Sequence, residues 1–329
     1  MLFIHDDIIL AIAGNSKLET IFAMKRLSKH HHDIIKKHER SIVKEAVKLY
    51  TGGDSSLLPA LGAICSSQDV DREYLYSGSF GVLKELEIRT SRADTLLSKG
   101  QPIRNRIDAA FSTHSAFFDL PQVEQNLLLS RIKETFKIVD RLADCAAEVT
   151  SEWMEAADKS TVKKLSGQES VLEAHNRQLE LIRALSPLDL AYLYHLVMWA
   201  GQAYAVKFPA FMADADDFDR LLAFKEAILR HGTIMIWAIF KPTSGTATST
   251  AGVSYPSKPT NEFSRFADDS IRLILEEIKI FNATDAANNR MPPGLHMTMS
   301  KAFVDNTGRP STRLPIEMEH MVLSDIRVN

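Results

Sequence analysis

A chain of 329 residues, 45% hydrophobic and 25% charged, can fill the core of one large domain or of two ordinary ones. Its 39 Lys and Arg against 42 Asp and Glu leave a net charge of −3, which excludes a surface that grips nucleic acid all over and leaves room only for a local basic patch. The two cysteines, Cys65 and Cys145, cannot build a disulfide framework or a four-cysteine zinc site, so an intracellular protein with free, mostly buried thiols and no metal is expected.

Taken in order, Met1 to Gly14 is apolar but interrupted by Asp6 and Asp7 and preceded by no basic region, which does not make a signal peptide. From Lys17 to Tyr50, Ile34, Ile35, Ile42, Val43 and Val47 recur at helical spacing within a charged segment that Thr51-Gly-Gly-Asp54 ends. A second helix passes through Val82, Leu83, Leu86 and Ile88 towards Leu96 and Leu97, broken by Gly100-Gln-Pro102. After Pro121, the residues Val123, Leu127, Leu128, Ile132, Phe136, Val139, Leu142 and Ala146 keep one face apolar over a long third helix; the missing N–H of Pro121 suits a first turn. A helix over Ser170 to Ala184 follows.

Ser186 then reads as an N-cap, with Pro187 at the first helical position. The 17 residues from Leu190 to Val206 carry no formal charge, only His195, Gly201 and Gln202, and are bracketed by Asp189 and Lys207. That length is at the lower limit for crossing a bilayer, and a helix buried on all sides in a protein core explains it better, so no membrane segment is expected. A further helix starts near Asp217, with Gly232 as an interruption before the apolar Ile234 to Phe240. From Pro242 to Thr260, 14 of 19 residues are Ser, Thr, Pro or Gly, the composition of a flexible insertion. A helix with Phe263, Phe266, Ile271, Ile274, Leu275 and Ile278 resumes, Met291-Pro-Pro-Gly294 ends it, and a mixed tail runs to Asn329. The simplest organisation is an all-α domain over residues 70–329, with its insertion at 242–260, after a helical extension over residues 1–69.

Candidate chemistry is sparse. His30, His31 and His32 point about 100° apart in turn on a helix, so the triplet cannot converge on one ion, and Lys25, Arg26, Lys29, Lys36, Lys37 and Arg40 around it repel a cation. Asp214, Asp216, Asp217 and Asp219 look like a magnesium-binding aspartate run of prenyl-transferring enzymes. The second cluster that such a site needs would have to come from Asp268, Asp269, Glu276 and Glu277, at the wrong spacing. A plain role at a helix N-terminus suits the run better. Neither a glycine-rich phosphate loop nor a G-x-S-x-G elbow is present, so no enzyme is expected.

One segment, Phe117-Phe-Asp-Leu120-Pro-Gln-Val-Glu124-Gln125-Asn-Leu-Leu128-Leu129, has the spacing of the ligand-binding domain signature of nuclear hormone receptors, with Glu124 standing where the signature has Asp. Phe136 and Asp140 continue the resemblance in the manner of the divergent nematode group, and Leu185 to Trp199 is similar to a later core helix of those domains. The resemblance implies a three-layer helical sandwich in which Phe117 and Leu120 anchor a turn into the core. Leu128 and Leu129 would continue the buried face, and the polar Glu124 and Gln125 would bond backbone or neighbouring helices.

It also implies a ligand-regulated transcription regulator, nuclear or cytoplasmic, without a cofactor. A small lipophilic ligand would occupy an apolar pocket, with Phe111 and Trp199 as candidates for its lining, and would bias a terminal helix that recruits coregulator peptides; a receptor-type dimer partner is implied as well. Leu314, Pro315, Ile316, Glu317 and Met318 look like half of that activation helix, although Pro315 and Glu319 occupy positions that are apolar in the family. The basic residue that clamps coregulators is replaced by Ser112. The eight cysteines of the family's zinc-finger DNA-binding module are not supplied by a chain with two, so direct zinc-finger DNA binding is not expected of it. A helical nucleic-acid-packaging or assembly protein, such as a viral nucleoprotein or coat protein, is the alternative, with the basic His-rich segment meeting phosphates.

Overall fold

Apolar residues three and four apart give helices with one greasy stripe, and such stripes bury themselves against one another. The computed structural model describes residues 5–51, 64–65, 74–75, 78–112, 116–158, 167–209, 217–240, 260–283, 294–309 and 311–328. Over these residues the fold is all-helical but for one antiparallel ladder of two residues per strand, β1 (Ile64–Cys65) with β2 (Tyr74–Leu75), in which Ile64 faces Leu75. No helix among the described residues is long and apolar enough to cross a membrane. The boundary expected at residues 69 and 70 and the body of the insertion at 242–260 lie outside the described residues.

The chain forms two compact units, the smaller of residues 1–91 and 146–164 and the larger of residues 92–145 and 165–329. In the smaller unit, the stretch read as one segment from Lys17 to Tyr50 is four helices: α2 (Leu18–Leu27), α3 (Lys29–Lys37), α4 (Glu39–Ala46) and α5 (Lys48–Thr51), after α1 (Asp6–Gly14). Ser28 is extended, and its Oγ accepts from the His31 N–H to cap α3, which stops α2. His38, at φ −109° and ψ 19°, opens the corner between α3 and α4. The corners let α1 and α4, and α2 and α3, pack around Ile9, Ile21, Ile35, Ile42 and Val43. Two glutamates tie α6 (Phe80–Leu96) to this cluster: Glu39 accepts from the Phe80 N–H at 2.8 Å, and Glu87 accepts from the Tyr50 hydroxyl at 2.5 Å and the Leu18 N–H at 3.3 Å.

The larger unit contains α7 (Pro102–Ser112), most of α8 (Gln122–Asp158), α9 (Gly167–Ala184), α10 (Pro187–Lys207), α11 (Asp217–His231), α12 (Thr233–Phe240), α13 (Thr260–Ala283), α14 (Leu295–Thr307) and α15 (Leu314–Val328). The charge-free run forms α10, which is buried from Leu190 to Gly201 but for the half-buried Tyr194 and Met198, with Gln202 and Val206 exposed towards its end. It packs on α7, α11, α14 and α15. Its start is as expected: Ser186 Oγ accepts from the Asp189 N–H at 3.1 Å, and Pro187 stands at the first position. Gly232 separates α11 from α12 as expected, with φ +82°. The mixed tail after Gly294 turns out to be two helices, α14 and α15, whose buried sides carry Leu295, Met299 and Phe303, and Met318, Val322 and Ile326.

A buried polar chain fixes α12 to α8. Asp140 Oδ1 accepts from the Thr233 N–H at 2.8 Å and from its hydroxyl at 2.7 Å, and Arg92 Nη1 donates to Thr233 Oγ1 at 2.8 Å. All three residues are buried. Removing the carboxylate leaves the Thr233 N–H and hydroxyl, both buried, without their acceptor, so Asp140→Ala should cost about 3 kcal/mol. Asp140→Asn keeps one acceptor oxygen and should cost less. Urea unfolding of both variants checks the order; equal losses would mean that volume, not hydrogen bonding, is what Asp140 supplies.

Candidate functional site

Backbone geometry sets the turn that leads into α8. The Asp119 N–H donates to the Phe111 carbonyl at 3.1 Å, and Asp119 takes φ +55°, a left-handed conformation that an aspartate tolerates better than most residues. The turn drives Phe117 and Leu120 inwards and leaves Phe118 and Val123 exposed. Along α8, Leu128 and Ile132 continue the buried side, and Leu129 is half-buried. The Gln125 side-chain N–H donates to the Leu120 carbonyl at 2.7 Å, a local lock on the turn, while the Gln125 N–H reaches the Pro121 carbonyl at 3.0 Å.

Phe117 enters an aromatic cluster on α10. Its ring lies 5.3 Å from the His195 ring, edge to face, and 5.8 Å from the Trp199 ring, and His195 and Trp199 are 5.3 Å apart. Such packing contributes about 0.5–1.5 kcal/mol per pair beyond burial. Phe111 is also buried, on α7, so both candidate lining residues, Phe111 and Trp199, belong to elements that meet the turn. Among the described residues His195 Nε2 has no hydrogen-bond partner, and burial pushes its pKa down to about 4.

The terminal helix α15 lies against the same turn. Its apolar stripe (Met318, Val322, Leu323 and Ile326) faces the core, with contacts to α10. Polar groups on its flanks do the fastening. Glu319 Oε1 accepts from the Ala116 N–H at 3.0 Å, immediately before Phe117. Asp325 accepts from the Tyr192 hydroxyl at 2.8 Å on α10 and pairs with Arg131 on α8 at 3.0 Å. Arg327 stands 3.8 Å from Glu124, an ion-pair distance too long for a hydrogen bond. Burial and the Asp325 carboxylate both push the Tyr192 phenol upwards, so it stays a donor at ordinary pH.

Of the residues expected to form half an activation helix, Met318 is buried and Ile316 exposed, Leu314 is half-buried, and Glu317 pairs with Arg309. They form the first turns of a helix that continues to Val328. Ser112 is exposed at the end of α7, its hydroxyl turned to the Asp108 carbonyl at 3.2 Å. Sequence reasoning missed Tyr192, Arg131, Glu319 and Asp325 as fasteners. A tyrosine inside a charge-free run and an aspartate beside Val322 and Ile326 were the available signals, since both need partners when buried.

Other candidates fall elsewhere. His30 Nε2 lies 3.0 Å from Asp6 and His31 Nδ1 2.8 Å from Ser28 Oγ, so the triplet divides among local partners. Asp214 and Asp216 lie outside the described residues. Asp268 and Asp269 are exposed, and Glu277 pairs with Arg230 at 2.7 Å. Among the described residues, no group of three or more His, Cys, Asp or Glu is placed to hold a metal ion, and the buried Cys145 thiol donates to the Arg141 carbonyl at 3.7 Å. No protein-family model, curated protein or solved structure matches the chain.

The buried imidazole sets a pH dependence. His195 has its pKa lowered by folding, so below pH 6.5 the unfolded chain takes up a proton that the folded chain refuses, and stability falls as the pH drops. The loss from this residue should reach about 2 kcal/mol at pH 5. Thermal melts at pH 7.5 and 5.0 should therefore show a smaller drop for His195→Phe than for the unaltered chain. The same drop in both would show that His195 is not held neutral.

Proposed function

We propose that the larger unit is a regulatory domain of the nuclear-receptor ligand-binding kind, a ligand-regulated transcription regulator whose output is carried by α15. The observation behind this reading is the meeting of the signature-like turn with the terminal helix: the Ala116 N–H held by Glu319, and Asp325 shared between Tyr192 and Arg131. A helix whose apolar stripe is buried but whose position is fixed by a few polar contacts at its rim has two arrangements open to it, docked and released, which a ligand can bias.

The burial of Phe117, Leu120 and Leu128 agrees with the roles the resemblance implies for them. The finer reading, a three-layer sandwich with an apolar pocket for a small lipophilic ligand, belongs to this proposal. So does a surface for coregulator peptides beside α15, where Ile316, Phe118 and Val123 are exposed. The 329 residues contain two cysteines, too few to build the family's zinc module within this sequence. No catalytic step is proposed.

The test is a reporter assay in eukaryotic cells with the chain fused to a heterologous DNA-binding domain. Output should differ from that of the DNA-binding domain alone. At matched protein level, Asp325→Ala should shift it by about fivefold or more, the size of a modest allosteric coupling. Output that ignores both the chain and the Asp325 substitution would sink the reading. Purification of the chain as large RNA-containing particles would also sink it, in favour of a packaging or assembly protein using the exposed Lys36, Lys37 and Arg26.

A further inference from the structure

A lysine is rarely buried without a carboxylate beside it, because an unpaired ammonium out of water is costly. Lys225 on α11 is 6% exposed. Its Nζ makes one polar contact, to the Met198 thioether at 3.1 Å, and no carboxylate oxygen among the described residues pairs with it. Thioether sulfur is a weak acceptor, a poor substitute for water or a carboxylate.

The carboxylate next to it in sequence is already committed. Glu226 accepts from the Leu295 N–H at 3.0 Å and the His296 N–H at 3.1 Å, the first donors of α14, and from Arg230 Nε at 3.1 Å. Arg230 is held in turn by Glu277. The stem of Lys225 crosses α10 at Gly201, where a Cβ would stand 2.9 Å from Cε, so the glycine in this buried helix makes room for the lysine.

The second unmatched group is His296, at the start of α14. Its Nε2 is buried without a hydrogen-bond partner among the described residues, and its ring lies 6.4 Å from that of Tyr194. Burial, and then the positive charge of Lys225, disfavour its protonation. Tyr194, Met198 and Gly201 are spaced to share one stripe of α10, so the amine and the imidazole come to the same side of that helix from α11 and α14. One cationic donor and one neutral ring nitrogen, both buried and both unmatched, are the complement of an anion with two acceptor oxygens.

We propose that Lys225 and His296 bind the carboxylate of a small organic acid, with the Lys225 ammonium pairing one oxygen and His296, in the tautomer with its proton on Nε2, donating to the other. This gives the ligand of the regulatory reading a chemical class; it rests on that reading only for the consequence at α15.

Isothermal titration of the full chain with saturated monocarboxylic acids from formate to octanoate, each beside its primary alcohol, tests the site. At least one acid should bind about tenfold or more tightly than its alcohol, and Lys225→Met should weaken it about tenfold or more, the size of a charge-assisted contact. His296→Gln should weaken it less. Lys225→Met should melt no lower than the unaltered chain, since it removes an unpaired buried charge. Should that variant fail to fold, His296→Gln and the alcohol series decide. No acid binding better than its alcohol, or binding unchanged in the variants that fold, overturns the site. Acid binding that leaves hydrogen exchange of α15 unchanged supports the site and counts against the regulatory reading. A reporter that responds to Asp325→Ala without any acid binding has the opposite meaning.

Discussion

A helix buried over most of its surface imposes a condition on everything around it. From Leu190 to Gly201 α10 is buried but for the half-buried Tyr194 and Met198, so most of its surface needs neighbours and its buried polar groups are costly without partners. Helices α7, α11, α14 and α15 supply the faces. The polar groups then dictate detail: Tyr192 fixes where Asp325 must stand, His195 is kept neutral among aromatic rings, and Gly201 leaves the gap through which Lys225 passes.

The two ends of the larger unit meet through this condition. The turn before α8 inserts Phe117 against His195 and Trp199, and α15 closes beside it with Glu319 on the Ala116 N–H. Glu319, which stands at a position apolar in receptor activation helices, has a definite role here: it satisfies a backbone donor that the tight turn would otherwise leave open. The contacts at the rim of α15 are few and polar, and its buried stripe is four apolar residues long.

Much of the architecture was legible because burial leaves a strong pattern. Freedom from charge between Asp189 and Lys207 marked α10, Ser186 and Pro187 marked its start, and the recurrence from Leu128 to Leu142 marked α8. The corners at Ser28 and His38 were not legible, because the apolar period runs on in register through both. Helices α14 and α15 were read as a mixed tail because Met297 and Ile316 are exposed and blur the stripe. At the site, the inward residues of the turn could be read from spacing. Their fasteners could not: Tyr192 and Asp325 are 133 residues apart, and Ala116 and Glu319 are 203 apart, and nothing in one sequence links such pairs. Lys225 was hidden for another reason. A lysine on a helix reads as solvated until the neighbouring helix is seen to lie over it.

Native-state hydrogen exchange, followed peptide by peptide across the larger unit, tests most directly whether a central buried helix carries an independently releasable terminal one. α10 should be among the last segments to exchange, at the free energy of global unfolding. The amides of α15 should exchange earlier through an opening of their own, and Asp325→Asn should hasten α15 while leaving α10 unchanged. Exchange of α15 only together with α10, or equal acceleration of both by that substitution, would contradict the account.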